Sequence, residues 1–364
     1  MNYELNNYEL KNMLIFVINP GSTSTKIAVY DDEKPIWMTG AHHPVSELAA
    51  FRHISDQYEY RKNFILQRLA DAGIKLNFDA VIGRGGLLHP LSGGVYAVNE
   101  KMKHDLLNAE REHACNLGAL IADEIASECG CPAYIADPVV VDEMCPEARL
   151  TGIPGIERKS IFHALNQKAV ARRYAASQGK KYEDMRLIVA HLGGGMSVGA
   201  HVYGRVIDVN NALDGEGPFT PERAGTLPAG QLVDLCFSGK YSIKQVKQLI
   251  SGKGGLTAHL GNNDMITISR LAEEGEEPYR GVVSAMIYTI AKQIGAMYVA
   301  MNGQVDAIIL TGGVAHSDYC INELRPRIDY LAPIEVIPGE NEMGSLAYNA
   351  LGVLRGELPL KEYK

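Results

Sequence analysis

Leu14-Ile-Phe-Val-Ile-Asn19-Pro-Gly-Ser-Thr-Ser-Thr-Lys26-Ile-Ala-Val-Tyr30 is the stretch from which the fold can be read. An apolar run of strand length is followed by a small-residue turn and a second apolar run. Pro20 and Gly21 set the turn, and Ser22, Thr23, Ser24 and Thr25 line it with hydroxyls and little bulk. Such a turn can aim backbone N–H groups and hydroxyls at an anion, and Lys26 adds a positive charge. By itself it also reads as an ordinary hairpin with a polar tip.

A second copy favours the anion reading. Residues 187–203, from Leu187-Ile-Val-Ala-His191 through Leu-Gly-Gly-Gly195 to Tyr203, lie over residues 14–30 without a gap, offset by 173 residues. Phe78-Asp-Ala-Val-Ile-Gly-Arg84-Gly-Gly86 matches Val305-Asp-Ala-Ile-Ile-Leu-Thr311-Gly-Gly313 with an offset of 227. Both pairs occur in the same order. The spacing between markers is 119 residues in the second copy against 65 in the first, so the second carries an insertion of 54. This is a duplication of strand–turn–strand followed by a buried strand ending in glycines.

The chain has 364 residues, enough for two domains and a core that needs no disulfides. A net charge of −8 argues against a general nucleic-acid or anionic-membrane surface, though not against a local basic pocket. Six scattered cysteines include no CxxC pair, so neither a zinc ribbon nor a thioredoxin motif is supported, and reduced thiols in a cytoplasmic enzyme are expected. No run reads as a membrane span, and the polar, acidic start does not read as a secretory signal.

Residues 1–12 read as a short extension. Three early strands are expected, then a helix over 46–72, a buried strand at 78–82, a helix over 114–127 and a short strand at 133–136. Residues 151–160 are rich in breakers and mark the boundary between a first domain, 13–157 with 345–364, and a second, 158–344. A helix over 163–177 precedes the second copy. The largely apolar run 280–301, with its small residues, reads as a long buried helix, 334–337 as a strand, and 344–354 as a helix returning to the first half. Strands alternating with helices give an α/β fold with ligands at the carboxyl ends of strands.

The chemistry-bearing residues sit at those strand ends. Gly193, Gly195 and Gly199 depart from the dinucleotide fingerprint and lead to a strand, and no Walker loop exists; two facing glycine and hydroxyl turns can still hold phosphates. Arg84 could clamp a carboxylate or phosphoryl oxygen in a fork, or make a structural ion pair. Asp137 could hold a cation or cap a helix after the strand. His163 and His191, flanked by apolar residues, read equally as catalytic groups or as satisfied core residues. His113 is a weaker candidate at a helix start. Arg223, Glu340 and Glu342 lie in polar loops where surface charge is the ordinary reading.

These residues resemble the acetate and sugar kinase, actin and heat-shock ATPase superfamily. More narrowly, Asn19-Pro-Gly-Ser-Thr-Ser-Thr-Lys26 resembles the opening signature of the acetate kinase family, His191-Leu-Gly-Gly-Gly195 its second phosphate turn, and Thr311-Gly-Gly-Val314 its adenosine turn. Residues 214–223 and 339–344 resemble its butyrate kinase branch. The resemblance covers nearly the whole chain after residue 12. It implies duplicated ribonuclease-H-like (actin-like ATPase) domains with a nucleotide cleft between them, and a homodimer or higher homo-oligomer. It implies reversible transfer from ATP, with Mg2+, to a short-chain carboxylate such as butyrate or isobutyrate, forming an acyl phosphate and ADP.

By position, the resemblance assigns Asn19, Ser22, Ser24 and Lys26 to the first phosphate turn, and His191, Gly193, Gly194 and Gly195 to the second. Gly312 and Gly313 fall to the nucleotide. Arg84, Asp137 and His163 fall in catalytic positions, and Asn19, Asp137 and Glu342 near the metal, with Glu340 close by. Gly225-Thr-Leu227 lacks the family's second arginine, and Arg223 is the nearby substitute. Gly86 stands where acetate kinases carry valine, which predicts a larger acyl pocket with Phe162 and Pro221 beside it. Overlapping acid specificity is expected, because a methylene brings only about 1–3 kcal/mol of discrimination. An acetate or propionate kinase is the coarser alternative, and a conformational ATPase of the actin or chaperone kind is the alternative of another class.

Overall fold

The computed structural model describes residues 12–109 and 111–364; the expected extension over 1–12 lies, but for Asn12, outside them. The strands are β1 (Leu14–Pro20), β2 (Ser24–Asp31), β3 (Lys34–His42), β4 (Ala80–Arg84), β5 (Val95–Ala97) and β6 (Ala133–Ala136). They continue with β7 (Arg186–Leu192), β8 (Met196–Val202), β9 (Arg205–Val209), β10 (Ala307–Gly312), β11 (Ile334–Pro338) and β12 (Leu360–Glu362). They form two sheets, ordered β12-β5-β6-β4-β1-β2-β3 and β11-β10-β7-β8-β9. In the first, β6, β4 and β1 are parallel and β2 and β3 return antiparallel. In the second, β11, β10 and β7 are parallel and β8 and β9 return antiparallel. The same five-strand pattern occurs twice, as duplicated ribonuclease-H-like domains require.

The chain divides into two compact units. The first comprises residues up to 89, 94–138 and 342–364; the second comprises 90–93 and 139–341. The breaker-rich segment 151–160 therefore lies inside the second unit.

In the first unit, Phe16, Ile18, Ile27, Val29 and Val81 fill a core against Ile65 and Leu69 of the helix Tyr58–Asp71 and Leu117, Ile121 and Ile125 of the helix Asn116–Cys129. The helix expected over 46–72 is two pieces, Val45–Leu48 and Tyr58–Asp71. The intervening stretch is anchored by side chains instead: the backbone N–H groups of His53 and Ile54 donate to Asp56 and Glu112. Helix Asn116–Cys129 lies against β4 so closely that a Cβ on Gly83 would stand 2.2 Å from Gly118 O, and one on Gly118 would stand 2.4 Å from Arg84 O. Only two glycines allow that approach, and it seats the strand end bearing Arg84.

In the second unit the helix Tyr279–Ala300 packs Val283, Met286, Ile287, Ile290, Ile294 and Met297 into a core with β7, β8 and β10. The helix expected to be buried is so along one face. Only one stripe is buried, while Tyr288, Lys292 and Val299 lie outside it, Tyr288 and Val299 exposed. By length and apolar composition alone the helix also passes as a membrane span, where the sequence reading found no such run. A helix with its apolar stripe in a core satisfies the same pattern.

The close contact makes a testable pair. Gly118→Ala should destabilise the fold by about 1–3 kcal/mol, because the methyl group meets backbone that cannot move aside. Gly295→Ala, in the long helix with nothing within 4 Å of the added methyl group, should stabilise by up to about 1 kcal/mol through helix propensity. Urea midpoints shifting in opposite directions would verify both.

Candidate active site

In the first unit three parallel strands end side by side and present Asn19 from β1, Arg84 from β4 and Asp137 just after β6. Asn19 and Lys26 are cross-strand partners, so their side chains share one sheet face with Ser24 two residues before Lys26. Lys26 is exposed, and the missing side chain of Gly40 opposite leaves room for its stem. Arg84 makes an ion pair with Glu342 at 2.9 Å, and Asn19 Nδ2 donates to the same carboxylate at 2.8 Å. Arg84 Nη1 also reaches Asn19 Oδ1 at 3.4 Å. Glu342 opens the helix Glu342–Leu354, so the backbone brings a carboxylate to a strand-end arginine from 258 residues away.

Asp137 is 1% exposed, adopts a left-handed φ of 38° and accepts a hydrogen bond from Gly94 N at 2.7 Å. It caps no helix. Ser22 Oγ lies 3.2 Å from His113 Nε2. The Cys115 backbone N–H donates to His113 Nδ1 at 3.2 Å, so this network places the ring proton on Nε2, facing Ser22. His113, the weaker candidate from sequence, thus stands directly at the first turn.

Beneath the same turn lies Arg61, which sequence reading missed. It is 0% exposed and donates to Gly21 O, Ser22 O and Ser24 O at 2.9–3.0 Å. Its position was nonetheless readable: Arg61, Ile65 and Leu69 form the buried stripe of their helix, and a charge on an apolar stripe needs a reason.

In the second unit the turn Gly193–Gly195 joins β7 and β8, with His191 opposite Ser197. The rings of His163 and His191 stack with centroids 3.7 Å apart and planes within 9°. His163 Nδ1 lies 2.8 Å from Ser197 Oγ, which also accepts from Gln167 Nε2 at 2.8 Å. His191 Nδ1 is held by Asn166 Oδ1 at 2.8 Å. Its Nε2 is buried without a hydrogen-bond partner among the described residues; Glu340 Oε1 lies 2.9 Å away but out of hydrogen-bond direction. An orphaned buried ring nitrogen beside Gly193 suits an incoming polar group.

The breaker-rich loop docks on this turn. Thr220 Oγ1 donates to Gly194 O at 2.6 Å. The Arg223 guanidinium lies so close over Gly195 that a Cβ there would stand 1.8 Å from Nη1. Arg223 Nη1 donates to Ala212 O. Burial lowers the Arg223 guanidinium from its ordinary value, against the opposing pull of Glu222 and Asp214, yet an arginine stays cationic at neutral pH. Gly312, with φ of 89°, passes Leu192 and exchanges backbone hydrogen bonds with Gly339, while nothing lies within 4 Å above Gly313.

The three residues expected at the acyl pocket are each closely packed within their own unit. A Cβ on Gly86 would stand 2.5 Å from Asn116 Oδ1 and 2.7 Å from Leu106 Cδ2, so the space left by the missing side chain is filled from within the first unit. Phe162 is 2% exposed and packs with Val141, Met144, Ala164 and Val206 as core. Pro221 is buried, its carbonyl taken by Thr257 N and Oγ1 at 2.9 Å.

For a metal, Asn19 Oδ1 and the Glu342 carboxylate offer hard oxygen donors side by side. No cluster of three His, Cys, Asp or Glu side chains stands ready among the described residues. That donor set fits Mg2+, which keeps waters and takes one or two protein carboxylates plus substrate phosphates, and does not fit a closed all-protein cage.

Residues 148–332 match the family described as "Acetokinase family". A relative from Phocaeicola vulgatus named "Probable butyrate kinase" is 72% identical over 352 residues, covering 97% of this chain and 99% of the relative. Another of the same name from Bacteroides thetaiotaomicron is 58% identical over 353 residues, covering 97% and 100%. The solved structure of Porphyromonas gingivalis acetate kinase superposes with a TM-score of 0.75 at 19% identity, covering 94% of this chain and all of that one, a likeness of fold.

Two buried histidines give the fold a pH dependence. His43, 2% exposed, bonds Thr25 Oγ1 under the first turn, and His201, 0% exposed, bonds Gln167 Oε1, whose Nε2 holds Ser197. Burial lowers both ring pKa values below the ordinary 6.5, with further lowering by Arg61 at His43 and by Lys168 at His201. The unfolded chain therefore binds protons below pH 6.5 that the folded chain does not. Stability is full above that pH and is lost as pH falls toward the depressed folded values. Urea midpoints at about pH 7.5 and about pH 5.5 should show a lower value under the acid condition; equal midpoints would mean both rings protonate in the folded chain.

Proposed function

The chain belongs to the acetokinase family, and on that premise we propose that it is a butyrate kinase. It transfers the γ-phosphoryl group of ATP reversibly to butyrate or a branched four-carbon acid, giving the acyl phosphate and ADP. The observation that carries this reading is 72% identity along 97% of the chain to a relative named for that activity. The geometry supports the chemistry.

A carboxylate is already a nucleophile at neutral pH, so the site needs no strong general base. One carboxylate oxygen forms the new bond to the γ-phosphorus as the bond to the ADP oxygen breaks, and no proton moves. What remains for the protein is alignment and neutralisation of charge on the transferring group. Arg84, held in place by Glu342 and Asn19, is the fork that would take the carboxylate or an equatorial phosphoryl oxygen. Ser22, Ser24 and Lys26 would take phosphate oxygens at the first turn. His191, steadied by Asn166 and by the stacked His163, and Arg223 over Gly195 would carry charge from the second. Asp137 would orient the acceptor side from its strand end. Mg2+, held at Asn19 and Glu342 with Asp137 nearby, would neutralise phosphate charge when it arrives with the nucleotide.

The acceptor preference rests on the relatives and not on Gly86, whose surroundings are filled. Because one methylene is worth about 1–3 kcal/mol, propionate and valerate should be poorer substrates than butyrate by roughly 10–200-fold at most. The cytoplasm and a small-molecule acceptor, without nucleic acid or membrane, complete the proposal, together with a homodimer or higher homo-oligomer.

Acyl phosphate trapped with hydroxylamine from ATP, Mg2+ and acetate, propionate, butyrate, isobutyrate, valerate or phenylacetate should peak at a four-carbon acid. A peak at acetate would reassign the acceptor, and no acyl phosphate with ATP still bound would favour a conformational ATPase. Arg84→Ala should lose about 100- to 1,000-fold in turnover with ATP binding largely kept; undiminished turnover in the folded variant would remove Arg84 from the mechanism.

A further inference from the structure

Every carbonyl of the first phosphate turn is occupied from inside the first unit. Gly21 O and Ser22 O each accept from Arg61 at 3.0 Å, Ser24 O accepts from Arg61 at 2.9 Å and from Gly21 N at 2.8 Å, and Thr23 O accepts from His43 N at 2.7 Å. In a trans peptide the carbonyl of one residue and the N–H of the next point in opposite directions. Carbonyls of Gly21 and Ser22 turned inward therefore turn the N–H groups of Ser22 and Thr23 outward. Those two donors take no partner among the described residues. Two adjacent outward amides flanked by hydroxyls form an anion-binding concavity.

Arg61 is also unusual in its own right. Its remaining donors are satisfied by Gln57 Oε1, at 3.0 Å from Nε and 2.9 Å from Nη2, and by Thr25 Oγ1 at 3.0 Å. No carboxylate pairs with it among the described residues. A buried cation ordinarily has an anionic partner, because carbonyl and amide oxygens alone offset only part of its desolvation. Here the uncompensated charge lies directly behind a turn of outward amides.

We propose that Arg61 is the positioning residue of the first phosphate turn: it draws the turn's carbonyls inward, so setting its amides outward, and its buried charge is balanced only when a nucleotide phosphate binds. This rests on the kinase reading for the identity of the anion. Arg61 touches no substrate. Its effect is on phosphate affinity, and the carboxylate acceptor is left to Arg84.

The test compares Arg61→Lys and Arg61→Gln with the wild type, after circular dichroism and thermal melts establish folding. The KM for ATP and the ATP dissociation constant by calorimetry should rise about tenfold or more in Arg61→Gln, and less in Arg61→Lys, which keeps the charge but loses the fork. The KM for butyrate should change by no more than about twofold. Stabilisation of the melt by inorganic pyrophosphate should shrink in parallel. Unchanged ATP affinity in a folded Arg61→Gln, or equal losses for ATP and butyrate, would overturn the proposal. If neither variant folds, Gln57→Met decides: it frees Arg61 without removing it, and ATP affinity should weaken while butyrate KM holds, with unchanged ATP affinity overturning the proposal. Calorimetric ATP binding keeps the test independent of the acceptor. A wild type that binds ATP but makes no acyl phosphate refutes the kinase reading and leaves the Arg61 comparison intact.

Discussion

In the first unit the ion pair between Arg84 and Glu342 ties the C-terminal helix to the strand ends. Glu342 starts a helix near the end of the sequence, Arg84 ends a strand in its first quarter, and their contact at 2.9 Å fixes both beside Asn19. Each side chain is about three-quarters or more shielded from water, so the pair is less screened than a surface bridge, and losing one partner would leave a poorly solvated charge. The arrangement also explains why a carboxylate can stand in a site for anions. With Arg84 attached, Glu342 contributes little net negative potential of its own, and a cation arriving with phosphates adds the charge needed to share it.

Much of this was legible in the order of residue types. The two hairpins, the glycine-ended strands and the residues at their carboxyl ends could be named because strand period and turn chemistry are local properties. The ungapped repeat was a weaker guide than it looked. Asn19 stands opposite Lys26, with Pro20 and Thr25 still paired and four residues in the turn between them, whereas the second strand pair runs on to Leu192 and Met196 across a three-residue turn. Ser197, aligned with Ser24 by sequence, therefore does different work: it holds His163 and Gln167 instead of lining the turn.

The rest depended on contacts between distant segments, which no window of sequence contains. Arg61 stands out in sequence only as a charge on the stripe with Ile65 and Leu69, and what it bonds appears only when the packed helix places it beneath the turn. Thr220 and Arg223 lie in a loop with no regular structure, and their purpose appears only when Gly194 and Gly195 are beneath them. Gly86 makes the same point from the other side. A missing side chain suggests room, but Asn116 and Leu106 had already filled it. Volume is a property of the whole packed unit, and a glycine reports only that something comes near.

Asp137 carries a last implication. Its φ of 38° is one that glycine adopts freely and that costs an ordinary L-residue about 1–2 kcal/mol, somewhat less for aspartate. Glycine would remove that strain but would leave the Gly94 N–H without the carboxylate that accepts from it at 2.7 Å. The strain is therefore held in place by what the carboxylate grips, and a change at this one residue would be felt in the Gly93–Gly94 turn as well as at the end of β6.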